Sequence, residues 1–262
     1  MDYEVCRKTW ESQVAVQFTL QSGGALGDPL PYYTMLPRFS YLALALPKVL
    51  SYFERREDGE KIDADKVWLE ANSQPLKMYV PIGVIYDQMN PDTDAIFEIT
   101  VRTSEPPAGF VPVDRNAMQA MFTQSIKEAD YLKTKAKTTQ GMQPNEFAQL
   151  WRSVTDNIFE EFFTVLQKLM ESKENSDFEF IPLRVYNKNG PFKQILISSK
   201  DESGSLRTIG DAVSQVLGAS ESEAVTERRL VSHGIDLPVD TPLIFAAKNL
   251  TYPDTFVHIV AV

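Results

Sequence analysis

The sequence predicts an α+β chain, with a small strand-and-helix domain at each end and a helix-rich stretch between them. Three observations carry this. Segments that alternate apolar and polar residues, the period of a half-buried strand, gather toward the two ends. The middle holds two long stretches with apolar residues at helical spacing. A Pro-Leu pair, a Pro-Asp-Thr triplet and an apolar strand also recur in that order near each end, as two copies of one small domain would show.

The first domain spans residues 1–103. Val14, Val16, Phe18 and Leu20 alternate with Ala15, Gln17 and Thr19 and read as a strand. Gly23, Gly24, Gly27 and Pro29 form a turn region, and Pro31 to Arg38 is a second strand stopped by Pro37. Ser40 caps an apolar helix through Tyr41, Leu42, Leu46, Val49 and Phe53, with Pro47 an awkward interior residue. Arg55 to Lys61 is a charged connector. Val67 to Ala71 is a third strand. Gln74-Pro75-Leu76-Lys77 opens a connection holding a short helix near Gly83 to Met89, and Ile96 to Arg102 closes the domain. Strand, strand, helix, strand, short helix, strand is the order of a β-grasp.

The middle spans residues 104–175 and begins with the Pro-rich Ser104 to Pro112. Asp114 to Lys137 contains no Gly or Pro and is rich in good helix formers. Met118, Met121, Phe122, Ser125, Ala129 and Leu132 make its apolar stripe. At about 100° per residue, Lys127 falls opposite that stripe, beside Thr123, Asp130, Tyr131 and Thr134. Asp130, three residues on, is expected to keep the ammonium charged. Such a lysine either solubilises a helix face or serves as an acceptor activated by another protein's active site. Thr138 to Pro144 turns the chain. Asn145 to Met170 is a second helix, striped by Phe147, Leu150, Trp151, Val154, Ile158, Phe162, Val165, Leu166 and Leu169. Glu171 to Asp177 is a polar exit.

The last domain spans residues 176–262. Phe178 to Tyr186 and Lys193 to Ser199 pair about a turn at Asn189-Gly190-Pro191. Ile209 to Leu217 is a helix ended by Gly218, and Leu230 to His233 is a short strand. Thr241-Pro242-Leu243 leads through a short helical run to Tyr252-Pro253-Asp254-Thr255, and Phe256 to Val262 closes the chain. The repeat sets Gln74-Pro75-Leu76 and Pro91-Asp92-Thr93 against Thr241-Pro242-Leu243 and Pro253-Asp254-Thr255.

Of 262 residues, 43% are hydrophobic and 24% charged, with a formal net charge of −10. That balance argues against sequence-independent nucleic-acid binding. The lone Cys6 forms no internal disulfide and points to a reducing, cytoplasmic setting. No apolar run approaches the ~20 residues a membrane span needs. No phosphate-binding glycine motif is present. One cysteine with His233 and His258 supplies no usual zinc set, so no metal or other cofactor is expected. His258 reads as a sheet residue and His233 as a turn residue. Cys6, expected in a mobile terminus, is a poor scaffold for a nucleophile, and a cysteine enzyme is a rival reading. The residues read best as a binding or structural protein without a catalytic group. Lys127, Lys133, Lys135 and Lys137 form a basic end to the first middle helix, either a solvated face or a contact for anionic lipid. Arg38 and Arg184, at comparable places in the two end domains, either clamp an acidic partner helix or sit in two unrelated ion pairs.

The segments PYYTMLPRFSYL, PLKMYVPIGVIYD, SIKEADYLK, LWRSVTDNIFEEFF, FIPLRVY, HGIDLPVDTPL and YPDTFVHI resemble, in order, the autophagy protein five family. The resemblance implies two ubiquitin-like domains flanking a helix-rich domain. It implies that Lys127, in Ile126-Lys127-Glu128-Ala129, carries the C-terminal glycine of a ubiquitin-like modifier, autophagy protein twelve, through an isopeptide bond. It further implies a coiled-coil partner, autophagy protein sixteen, whose N-terminal helix meets Arg38 and Arg184 in a groove. The resulting complex would act like a ligase with conjugating enzymes, lipidating autophagy protein eight during autophagosome formation. Peripheral membrane contact through Lys133, Lys135 and Lys137 is implied as well. The rival from another class is an adaptor that binds a helix without conjugation.

Overall fold

The computed structural model describes the chain except residues 22–28, 56–60, 90–94, 171–177, 179, 188–189 and 219–227. The turn at Gly23, Gly24 and Gly27, most of the connector from Arg55 to Lys61, the triplet Pro91-Asp92-Thr93, the exit Glu171 to Asp177 and Asn189 lie outside the described residues. The chain divides into two units, Gln13–Met118 and Met1–Ser12 with Gln119–Val262.

In the first unit, β1 (Gln13–Gln21) buries Val14, Val16, Phe18 and Leu20 and turns the residues between them outward, as its alternation predicts. It pairs antiparallel with β2 (Tyr32–Pro37), which sets Ala15 opposite Met35. It also runs parallel to β5 (Phe97–Arg102), with Val16 opposite Phe97. The crossover between β2 and β5 carries α2 (Leu42–Glu54), β3 (Trp68–Ala71), β4 (Gln74–Pro75) and α3 (Ile82–Met89). The sheet runs β2-β1-β5-β3-β4. Phe18, Leu42, Phe53, Leu69 and Phe97 fill the core, each stabilising the fold by about 1.5–3 kcal/mol through burial. Helix α2 starts one residue later than expected. Tyr41 occupies the cap position but its side chain does not cap the helix, while the Ser40 carbonyl accepts the Ile82 amide at 2.8 Å.

In the second unit, α1 (Tyr3–Glu11) is a docked helix where a mobile terminus was expected. Asp2 caps it, accepting the Glu4 amide at 2.9 Å, and the Trp10 indole donates to Asn157 Oδ1 at 2.7 Å. The middle region holds α4 (Arg115–Thr134), α5 (Pro144–Asp156) and α6 (Phe159–Met170). The single helix expected from Asn145 to Met170 is thus two. Asn157 takes the left-handed conformation at φ 56°, ψ 51° and ends α5, a geometry that asparagine tolerates better than most residues.

The second sheet runs β6-β9-β7-β8. Its strands are β6 (Leu183–Asn187), β7 (Leu230–Ser232), β8 (Ile235–Asp236) and β9 (Val257–Ala261), with α7 (Ile209–Leu217) and α8 (Leu243–Asn249) between them. Strand β6 runs parallel to β9, as β1 does to β5. The strand expected from Lys193 to Ser199 bonds β6 at Val185 with Lys193, and Ile181 just before β6 with Ile197, and is not a continuous strand.

The internal repeat is present in a different register. Tyr41 bridges Pro81 just before α3, and Thr208 bridges Pro242 just before α8. Thr241-Pro242-Leu243 therefore matches Val80-Pro81-Ile82. Gln74-Pro75-Leu76 matches Ile235-Asp236-Leu237 instead: the Leu76 amide donates to Leu69 O at 2.8 Å and the Leu237 amide to Leu230 O at 2.7 Å. Each match follows a two-residue turn with both φ positive, Asn72-Ser73 (50°, 61°) and His233-Gly234 (53°, 75°). His233 is a turn residue as expected, and it is buried, its ring stacked 3.9 Å from that of Tyr252. Arg38 and Arg184 are not at comparable places. Arg38 follows β2, whereas Arg184 lies within β6, the counterpart of β1.

Candidate functional site

Helix α4 buries Met118, Phe122, Ile126 and Ala129, together with the charged Asp130 and Lys133. This face is turned by about 60° from the predicted stripe at 100° per residue, and Met121 is left exposed. Ile126, absent from the predicted stripe, and two buried charged residues together account for the difference. Asp130 is not beside Lys127 on the solvent pole. Its carboxylate accepts the Thr134 hydroxyl at 2.7 Å, the Thr139 amide at 2.7 Å and the Thr139 hydroxyl at 2.8 Å, closing the turn after the helix.

Lys133 is only 3% exposed, which removes it from any membrane-facing surface. Its Nζ donates to the Leu169 carbonyl at 3.1 Å, supplying the end of α6 with a cation that suits a helix C-terminus. Burial pushes its pKa down to about 8, against the opposing attraction of Asp130. Lys135 and Lys137 are exposed. Lys135 has left the helix at φ 58°, and its ammonium lies over the rings of Tyr131 and Phe180 at 5.4 and 5.1 Å.

Lys127 is exposed on α4 between buried Ile126 and the half-buried Glu128, its Nζ 5.4 Å over the Phe147 ring of α5. Among the described residues no carboxylate pairs with it. The neighbouring Glu128 is tied to the last domain. Its Oε1 accepts Gln194 Nε2 at 2.8 Å, and its Oε2 faces Arg184 Nη2 at 3.4 Å. Arg184 Nε donates to Gln194 Oε1 at 3.1 Å, and its Nη1 donates to Asp254 Oδ2 at 3.3 Å. The guanidinium also lies 3.7 Å over the Phe256 ring. Behind it, the Asp254 carboxylate meets His258 Nε2 at 3.1 Å, and His258 Nδ1 meets the Tyr186 hydroxyl at 2.8 Å. Burial alone would raise the Asp254 pKa. His258 first and Arg184 second outweigh it and hold that pKa below the ordinary value.

Both arginines have ion-pair partners within the chain. Arg184 is engaged by Glu128 and Asp254 of its own chain. The Arg38 side chain is 8% exposed, ion-paired with Asp87 of α3 and set 5.3 Å from the Tyr86 ring. Cys6 is buried, its Sγ 3.8 Å from the Asn249 carbonyl, and burial pushes its thiol up to about 11, far from a reactive thiolate. Reading the sequence missed Glu128, Gln194, Asp254, His258 and Tyr186 as a connected set. The available signals were Glu128's place beside Lys127 and His258's outward position in a strand. Among the described residues, no cluster of His, Cys, Asp and Glu could hold a metal, and no helix is long and apolar enough to cross a membrane.

Three family models match the chain in order: Autophagy protein ATG5, UblA domain, over residues 9–103; the alpha-helical bundle region over 115–172; and the UblB domain over 180–261. Autophagy-related protein 5 of Caenorhabditis elegans is 64% identical over 270 residues, covering 99% of this chain and 98% of that one. The chain belongs to the autophagy protein 5 family. Autophagy protein 5 of Drosophila melanogaster is 33% identical, with 98% and 96% of the two chains covered. The crystal structure of Kluyveromyces marxianus Atg5 covers both chains fully with a TM-score of 0.83 at 17% identity, a likeness of fold. The α+β architecture, two ubiquitin-like domains flanking a helical region, is therefore that of the autophagy protein 5 family, and membership supports a role in autophagy with autophagy-related partners.

Proposed function

We propose that this chain is the acceptor in a ubiquitin-like conjugation, with Lys127 the residue modified by autophagy protein twelve. The observation that carries the reading is the presentation of Lys127. Ile126 and Ala129 are fully buried, so the helix is held from within, while the lysine between them is exposed and meets no carboxylate among the described residues. The chain supplies no catalytic group. The neutral amine attacks the thioester carbonyl at the modifier's C-terminal glycine on a separate conjugating enzyme. The N–C bond forms, the C–S bond breaks, and the amine's proton leaves with the thiol. Tethering then raises the effective concentration of the modifier beside the helical region, so weak contacts suffice for a composite surface.

With the coiled-coil partner autophagy protein sixteen, the conjugate acts like a ligase. It promotes transfer of autophagy protein eight from its conjugating enzyme to phosphatidylethanolamine as the autophagosome forms. Arg38 and Arg184, proposed to meet that partner's helix, are each ion-paired within the chain and would have to exchange those pairs to do so. The protein works in the cytoplasm and peripherally on the pre-autophagosomal membrane. Lys135 and Lys137 contribute on the order of 1 kcal/mol each near anionic lipid.

The test is the intact mass of the protein recovered from its own cells beside a Lys127→Arg variant. The expected result is a gain of one modifier in the wild type and none in the variant, with equal thermal melts. A modified variant would show that another residue is the acceptor. An unmodified wild type would leave a non-covalent adaptor.

A further inference from the structure

Glu128 is one residue from the proposed acceptor, yet its two carboxylate oxygens reach a different domain. One accepts Gln194 Nε2 at 2.8 Å and the other faces Arg184 Nη2 at 3.4 Å, while Gln194 and Arg184 bond each other at 3.1 Å. The three side chains form a closed polar triangle on the flank of α4. The triangle has a rigid base. Arg184 sits in strand β6, stacked on Phe256 and bonded to Asp254, which His258 of β9 holds in turn. Buried Ile126 and Ala129 hold the inner face of α4 by apolar packing, which is not directional, and the directional bonds of Asp130 and Lys133 lie further along the helix. A charge-assisted bond on the flank is directional, and it resists rolling of the helix about its axis. Lys127, projecting next to that bond, has a long flexible side chain whose reach is set by the roll of the turn that carries it.

We propose that Glu128 is a positioning residue for Lys127: the Glu128–Gln194–Arg184 triangle fixes the acceptor turn of α4 against the C-terminal sheet, so that the amine meets the thioester carbonyl at one geometry. The inference rests on the acceptor reading above. It assigns Arg184 to orientation of the acceptor within its own chain. The reaction it serves is unchanged: the amide N–C bond forms, the C–S bond breaks, and the proton leaves with the enzyme's thiol. Attack by a nucleophile is sensitive to approach distance and angle, so a looser turn lowers the rate without weakening the encounter.

The experiment is single-turnover transfer from the modifier-charged conjugating enzyme of the same organism to the full chain, over a range of acceptor concentrations. Glu128 is 42% exposed, so its replacement leaves the fold intact; thermal melts check this. Glu128→Ala is expected to slow transfer at saturating acceptor on the order of threefold to tenfold, with the half-saturating concentration unchanged. Gln194→Ala slows it in the same direction, and the double variant is no slower than the slower single one. Glu128→Gln, which keeps an acceptor oxygen for one donor but sets an amide N–H against the other and loses the charge, recovers only part of the rate. Wild-type rates in Glu128→Ala overturn the proposal. So does a slow Glu128→Ala beside a normal Gln194→Ala, since the carboxylate would then be touching the enzyme directly. A wild type that takes no modifier, or a Lys127→Arg variant that still takes one, removes the acceptor reading and this proposal with it.

Discussion

The two ubiquitin-like domains share a strand plan and use the outward face of their sheets in opposite ways. In each, a first strand lies parallel to the last, which lies beside a third: β1, β5 and β3 in one domain, β6, β9 and β7 in the other. The shared register makes Phe97, Glu98 and Ile99 the counterparts of Val257, His258 and Ile259. In the N-terminal domain β5 is buried on one face only, and Glu98 is exposed. In the C-terminal domain every residue of β9 is buried, and His258 belongs to the polar network that reaches Glu128 on α4. The matching outward position thus stands exposed in one sheet and in the other belongs to the bed to which a helix is bonded. The inner faces, where the fold is made, are alike, and the difference lies in the outward positions of the strands.

The largest expected effect tests the likeness. Ile99→Ala and Ile259→Ala each remove a fully packed side chain from equivalent inward sites and are each expected to cost about 2–5 kcal/mol. Amide hydrogen exchange should show the loss in the mutated sheet; unequal losses would break the equivalence of the two cores.

A second prediction concerns the seam between α4 and the end of α6, on the helix-bearing side. Burial lowers the Lys133 pKa to about 8 in the folded chain, against 10.5 for an ordinary lysine. Between those values the unfolded chain holds a proton that the folded chain has shed, so stability should rise with pH from about 8 and level off near 10.5. The rise amounts to at most about 3 kcal/mol, at roughly 1.4 kcal/mol per pH unit. It should be missing in Lys133→Met; identical pH slopes in urea melts of the two proteins would refute the buried ammonium.

The smallest effect sharpens the contrast. His258→Ala leaves the Asp254 carboxylate and the Tyr186 hydroxyl short of a partner and is expected to cost about 1–3 kcal/mol. Glu98→Ala at the matching exposed position should stay within about 0.5 kcal/mol. Because Asp254 titrates below its ordinary 3.8, its contribution is whole above that pH and disappears as pH falls through the lower folded value. Equal effects of the two substitutions would erase the distinction between the faces.

Sequence reading succeeded where period alone decides. Val14, Val16, Phe18 and Leu20 announce β1, and the order of elements announces the grasp. It failed where a residue's fate depends on distant partners. Nothing near Lys133 reveals that the Leu169 carbonyl will receive it, and Glu128 meets Arg184 across 56 positions. The break at Asn157 was hidden because α5 and α6 both carry dense apolar stripes, so the periodic signal runs through the gap. The repeat was set in the wrong register because it was keyed on prolines. The element common to both copies is a left-handed two-residue turn, which Asn-Ser forms in one and His-Gly in the other. Of the candidate site, exposed Lys127 was legible and the triangle that orients its turn was not.

The docking of α1 has a consequence for the order in which the protein can be built. This helix is synthesised before the residues it packs on: its rings rest on Phe159, Phe162 and Phe163, and the Asp2 amide donates to Asn249 Oδ1 at 2.6 Å. Its partners are synthesised long after the unit Gln13–Met118 has emerged and can fold as a body of its own. The helix therefore waits, amphipathic and undocked, until those partners have been made. Throughout that interval it is a ready ligand for chaperones.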